Sequence, residues 1–236
     1  YEVLCNRTGT NILPGVAVAF MEGVNLFNKC KYEVGVIEID ERSAPHVFPR
    51  LNPTYLVVTN LFRDSLKRNA HPEFIFNILE NSLPAMEKRD PSKMTIISNG
   101  DDVISSRLGK GYRKVYFGID RLKTDHDSEY NIINDARICP ECHHTLTYDF
   151  VRYHHIGRAH CENCGYQLPK PDYNVTNLDL DGMMMTVDHQ GEESSYKLVS
   201  NTLFNCYNEL TMLTVLSEVV KDEEKVREAI ESMEVT

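Results

Sequence analysis

Met94-Thr95-Ile96-Ile97-Ser98-Asn99-Gly100-Asp101-Asp102 is an apolar run that ends in an amide, a glycine and two acids. The run has the composition of a strand buried on both faces, and the polar residues that follow mark a turn. The pattern recurs on either side. Tyr55-Leu56-Val57-Val58-Thr59 is a second buried run, followed by Asn60-Leu61-Phe62-Arg63-Asp64, and Val115-Tyr116-Phe117-Gly118-Ile119 is a third. Pro72 to Leu83 reads as a helix with proline in its first turn. Asp101 to Leu108 reads as a short helix with acids at its positive end. Strand and helix in alternation imply right-handed crossovers and a parallel sheet.

Farther out, Val16 to Phe27 is apolar at helical spacing, and Glu33 to Glu38 is a short strand running into Glu38-Ile39-Asp40-Glu41. The texture changes near Ile138, where cysteines, histidines and short alternating segments run to about Tyr173. Asn177 to Val187 and Tyr196 to Ser200 then read as antiparallel strands. Asn201 to Val220 and Glu223 to Met233 read as helices. The expected fold class is α/β, a mainly parallel sheet flanked by helices, with residues 1–236 as one domain. Residues 137–173 are expected to form an insert with its own core at one edge of the sheet. Tyr1-Glu2-Val3-Leu4 reads as the middle of an element, so the sequence is expected to be part of a longer chain.

The 236 residues are 42% hydrophobic, enough for a full core, and the 25 basic and 35 acidic residues give a net charge of -10. That balance argues against broad nucleic-acid binding, which needs a basic footprint. No apolar run approaches the ~20 residues of a membrane span. No charged-then-apolar leader opens the sequence, and the cytoplasm is the expected compartment.

Cys139-Pro-Glu-Cys142 and Cys161-Glu-Asn-Cys164 are separated by eighteen residues. Each CxxC turn aims two sulfurs at one point, and two such turns make a closed tetrahedral site suited to structural zinc. Disulfides would need an oxidising compartment. Cys139 to His143 also fits a haem attachment signal, against which the second CxxC argues. An iron–sulfur cluster is compatible with the ligand type. His143, His144, His154, His155 and His160 crowd the segment; one could replace a cysteine, but surface decoration is the preferred reading. Cys5, Cys30 and Cys206 read as small core residues.

The motifs beginning at Glu38, Thr59 and Ser98 all follow strands, and the crevice at the carboxyl ends of strands is where open α/β sheets bind ligands. Carboxylates suit Mg²⁺, Mg²⁺ suits nucleotide phosphates, and arginine suits a developing phosphoryl charge.

At these motifs the sequence resembles the Mur ligase family, specifically its lipid II-amidating branch. The likeness runs through Asn6-Arg7-Thr8-Gly9-Thr10-Asn11 with Gly15, Glu38-Ile39-Asp40-Glu41, Thr59 to Asp64, Ser98 to Asp102, Phe117-Gly118-Ile119-Asp120 and Phe204-Asn205-Cys206-Tyr207-Asn208. The four-cysteine ribbon is the discriminating feature. The resemblance implies an ATP-dependent amide ligase of peptidoglycan synthesis, acting on the lipid II stem peptide with ammonia from a GatD-type glutamine amidotransferase. Membrane contact would come only through the lipid-linked substrate. It implies Glu38 as a Mg²⁺ ligand and Arg63 as a second catalytic residue. Asn60, Asp101 and Asp102 would border the nucleotide, with Asn208 and Asn205 at the adenine. The family's phosphate loop is expected upstream of Tyr1 and its C-terminal lobe beyond Thr236, so this chain alone is expected not to turn over ATP. Two alternatives are a noncatalytic interaction module built on the ribbon and a Mur-like ligase that adds an amino acid.

Overall fold

Ile96 and Ile97 are neighbours on one strand, yet each lies in a different hydrophobic core. This alternation places the sheet between two packed layers. The computed structural model describes residues 1–6, 10–27, 29–63, 71–86, 94–127 and 135–233.

The elements run β1 (Val3–Cys5), α1 (Leu13–Glu22), β2 (Val34–Val36), α2 (Ala44–Val47), β3 (Tyr55–Val58), α3 (Pro72–Ser82), β4 (Thr95–Asn99) and β5 (Arg113–Ile119). There follow β6 (Thr147–Tyr153), β7 (Ile156–His160), β8 (Tyr173–Asp179), β9 (Met184–His189), β10 (Glu192–Lys197), α4 (Leu203–Val219) and α5 (Glu223–Glu231). The main sheet has six strands in the order β10-β9-β8-β5-β4-β3. β3, β4, β5 and β8 are parallel, and β9 and β10 continue antiparallel. β1 and β2 form a separate parallel pair.

On one face Ile97, Val115, Phe117 and Val175 meet Tyr207, Leu210 and Leu213 of α4 and Val226 and Ile230 of α5. On the other face Ile96 and Leu108 meet Ile75 and Leu79 of α3, Ala44 of α2, and residues of the cysteine segment. α3 starts as its proline requires: Pro72 follows His71, whose ring nitrogen Nδ1 accepts the Glu73 N–H at 3.2 Å.

Several sequence expectations change. The first helix begins at Leu13 and stops at Glu22, with Gly23 as its cap, so Val24 to Phe27 lie outside it. Among the described residues β3 is the last strand on its side of the sheet, and Val57 is partly exposed. Asp101 to Leu108 holds only a 3₁₀ turn at Ser105–Arg107, since Asp102 accepts the nearby Ile104 N–H while Asp101 reaches across to the Ile119 N–H. Asn177 to Val187 is two strands, with the chain turning between Asp179 and Met184 where Met183 has a φ of 55°.

The largest correction concerns the insert. It leaves β5 and returns as β8, which are paired in the middle of the sheet, so it does not project from an edge. Nor does it keep a separate core. Cys139, Leu146, Ala159, Cys161 and Leu168 are buried in the same cluster as Val58, Ile96 and Leu108. Among the described residues no helix is long and apolar enough to cross a membrane.

Candidate active site and metal centre

The four cysteine sulfurs lie within 4.8 Å of one another. Cys139 Sγ is 3.6 Å from Cys164 Sγ, and Cys142 Sγ is 3.5 Å from Cys161 Sγ. A tetrahedron of Zn–S bonds near ~2.3 Å has edges of ~3.8 Å, whereas a disulfide needs about 2.05 Å. The donor set and spacing therefore fit a single tetrahedral ion. Two equivalent turns build this geometry. In one, Cys139 N–H donates to His144 O and His143 N–H to Cys139 O, at 2.7 and 3.0 Å. In the other, Cys161 N–H donates to Tyr166 O and Gly165 N–H to Cys161 O, at 2.8 and 2.9 Å. Both need a left-handed residue after the second cysteine, and His143 (φ 63°) and Gly165 (φ 76°) supply it. The His144 backbone N–H pulls the Cys142 thiol down to about 6, while burial and the neighbouring sulfurs push Cys164 up to about 12.

His143, His144 and His154 are exposed, as the surface reading expects, but His155 and His160 are not. His143 is a turn residue, and His160 Nδ1 lies 3.2 Å from Asp149. His155 is fully buried, with Nε2 3.1 Å from Asp102 Oδ1. Cys206 is buried as expected, but Cys30 is exposed.

Glu38 follows β2, so it stands at the carboxyl end of a strand that is not in the main sheet. Buried Asn6 holds its backbone from both sides, accepting the Glu38 N–H at 2.9 Å and donating to Glu38 O at 2.8 Å. The exposed Glu38 carboxylate accepts from Asn11 Nδ2 at 3.0 Å. Ile39, its neighbour, packs against the cluster that contains Leu61 and Val103. Asn60 is half-buried at the end of β3. Arg63 gives two nitrogens to Asp135 Oδ1 at 2.5 Å, beside a cleft lined by His71, Glu73, Arg107 and Arg137. Asp64, which closes that motif, and Arg7 to Gly9 of the first motif lie outside the described residues.

Asp101 and Asp102 differ most from expectation, because both are fully buried and already saturated by the protein. Asp101 Oδ2 accepts from Ile119 N at 2.8 Å, Tyr207 Oη at 2.7 Å and Arg152 Nη1 at 3.3 Å, while Oδ1 accepts from Arg158 Nη2 at 2.9 Å. Burial outweighs the pull of Arg158 and Arg152 and pushes this carboxyl above the usual range. Four donors converging on two oxygens serve the carboxylate form. Asp102 accepts from Leu61 N at 3.1 Å and Ile104 N at 2.7 Å. Burial alone would raise its carboxyl, but His155 reverses the sign and holds it below the usual range. Both acids thus frame the crevice rather than face into it. Asp101 reaches β5 only because residue 118 is glycine: a Cβ there would lie 2.9 Å from Asp101 Oδ1.

Arg152, Tyr207 and His155 complete this frame; Tyr207 lay in the motif at Phe204 and His155 among the crowded histidines, but no motif marked Arg152. On α4, Asn208 is exposed, whereas Asn205 is half-buried and donates to Ser200 Oγ at 3.0 Å. Phe204 stacks obliquely on Tyr153 of β6, with ring centres 4.5 Å apart.

No family model matches the chain. It is 28% identical over 232 residues to the lipid II isoglutaminyl synthase (glutamine-hydrolyzing) subunit MurT of Staphylococcus aureus strain COL, and 27% identical over 232 residues to that of Streptococcus pneumoniae strain R6. Each alignment covers 98% of this chain and 49% of the relative. The chain is MurT-like. It therefore spans about half the length of the MurT proteins it matches. Solved structures show the same fold. A pseudomurein peptide ligase type C from Methanothermus fervidus superposes with a TM-score of 0.69 at 22% identity, over 86% of this chain and 39% of that one. MurF from Acinetobacter baumannii gives 0.62 at 11% identity, over 100% and 41%. The sheet and helices of this MurT-like chain are thus a Mur ligase fold, with the four-cysteine cluster set into it.

Proposed function

We propose that this chain is the ATP-binding core of an amide ligase that acts in peptidoglycan synthesis. One observation carries the reading: Asp101 and Asp102, at the carboxyl end of β4, tie the loop after β3 and the first turns of α4 to one point. Ligands of open α/β sheets bind at that end. The similarity to MurT supports the choice of chemistry.

In this reading Asn208 and Asn205 contact the adenine, Asn60 and Arg63 border the phosphates, and Asp101 and Asp102 hold the frame. Glu38 is the candidate Mg²⁺ ligand. Its exposed carboxylate suits an ion that keeps several of its waters, and bound Mg²⁺ would neutralise phosphate charge. The four cysteines hold one structural zinc, which leaves no open position for chemistry. The α-carboxylate of D-glutamate in the lipid II stem peptide attacks the γ-phosphorus of ATP, and ADP leaves. Ammonia from a GatD-type glutamine amidotransferase then adds to the acyl carbon, loses a proton and expels phosphate, leaving D-isoglutamine. Phosphoryl transfer of this kind relies on positioning and charge, so the protein acts mainly by holding groups in place. The protein works in the cytoplasm and meets the membrane through its lipid-linked substrate.

The test uses full-length protein with a glutamine-hydrolysing partner. Phosphate release from ATP should require both lipid II and an ammonia source. Glu38→Ala should lower kcat about a hundredfold. Full turnover by that variant, or product formation with an amino acid but not with ammonia, would sink the assignment.

A further inference from the structure

We propose that Arg152 is a positioning residue for the nucleotide: from the ribbon hairpin, it holds through Tyr207 the helix turn that carries Asn205 and Asn208. The inference rests on the reading of those asparagines as nucleotide contacts.

Arg152 sits on β6 with no exposed side-chain surface. Its Nη1 donates to Asp101 Oδ2 at 3.3 Å, to Ile119 O at 3.2 Å and to the Tyr207 hydroxyl. Its Nη2 donates to Ile119 O at 3.2 Å, to Asp120 O at 2.9 Å and to Asp125 Oδ2 at 2.8 Å, and its Nε to Asp125 Oδ1 at 3.1 Å. One planar guanidinium therefore touches the end of β4, the end of β5, the loop beyond it and α4. A rigid fork with fixed donor directions sets the relative placement of all four.

Tyr207 passes this placement to α4. Its hydroxyl donates to Asp101 Oδ2 at 2.7 Å and accepts from Arg152, and the residue lies within one helical turn of both asparagines. Apolar residues of similar volume would hold the ribbon down as well or better, since burying charge costs desolvation. A buried fork adds direction, which an apolar contact lacks. The ribbon is bound at a second point too. His155 meets Asp102, whose other oxygen accepts the Leu61 N–H beside Asn60. The hairpin thus grips both of the segments read as nucleotide contacts.

The experiment measures binding of Mg-ADP and of a non-hydrolysable ATP analogue to full-length protein by calorimetry. Tyr207→Phe keeps the ring and removes one oxygen. It should weaken nucleotide about tenfold and raise the KM for ATP in parallel, with kcat at saturating ATP nearly unchanged. Arg152→Lys should not rescue binding, because an ammonium cannot span the same acceptors. Wild-type affinity in Tyr207→Phe, with weakened binding in Asn208→Ala, would overturn the proposal and leave the nucleotide site standing. Unchanged binding in Asn208→Ala would instead overturn the nucleotide reading and the proposal with it. Should Arg152→Lys fail to fold, Tyr207→Phe still decides.

Discussion

Gly118 leaves no room for a side chain between β5 and the Asp101 carboxylate. A Cβ added there would fall 2.6 Å from Pro171 Cγ and 2.9 Å from Asp101 Oδ1. Gly118→Ala is expected to lower the unfolding free energy by about 1–3 kcal/mol, as overpacking of a tight interior does. Gly35→Ala is the control, because a Cβ at Gly35 meets nothing within 4 Å. It should change stability by less than ~0.5 kcal/mol. Urea denaturation of both variants checks the contrast. At this scale the sequence was legible where spacing itself encodes geometry. Cys139, Cys142, Cys161 and Cys164 needed nothing beyond their two short turns. Asp101 and Asp102 were visible as acids after a strand, but their donors, Arg152, His155 and Tyr207, lie far away in sequence. Polar residues near two cysteine turns read as surface, and nothing local marked them as buried partners.

Among the elements, β4, β5, α3 and α4 were read close to their true extent because their apolar runs are long and their ends are marked by acids, proline or polar turns. The run from Asn177 to Val187 hid a turn because Leu180, Met183 and Met184 keep it apolar across the bend. The docking of the β6–β7 hairpin was not legible at all, since a CxxC pair announces a metal but not what the ribbon packs against. That docking changes what metal loss should do. Purified protein should carry about one equivalent of zinc per chain by elemental analysis. Removing the metal, or making Cys161→Ser, should loosen β3, β4 and β5 together with the hairpin, because Cys139 and Cys161 pack with Val58 and Ile96. Hydrogen exchange would read this directly. Faster exchange confined to residues 137–173, with β4 still protected, would show that the ribbon has a core of its own after all.

Across the whole molecule, one sheet separates two cores, and the anionic ligands proposed for its carboxyl end meet a chain of net charge -10. The arginines near the cleft beside α3 do not supply a free positive charge, since Arg63 pairs with Asp135 and Arg107 with Glu73. The course of the chain through the sheet also governs how this protein reaches its native state. β5 and β8 are neighbours in the sheet, yet residues 120–172 lie between them. Their pairing must await closure of a long loop, and closure entropy grows with loop length. An ion joining Cys139 and Cys161 through their turns cuts that loop to roughly half its free length, which lowers the closure cost by about 0.6 kcal/mol. Refolding by stopped flow should therefore run about threefold faster with zinc than with a chelator, so that the metal acts on the speed of assembly before it acts on the finished structure.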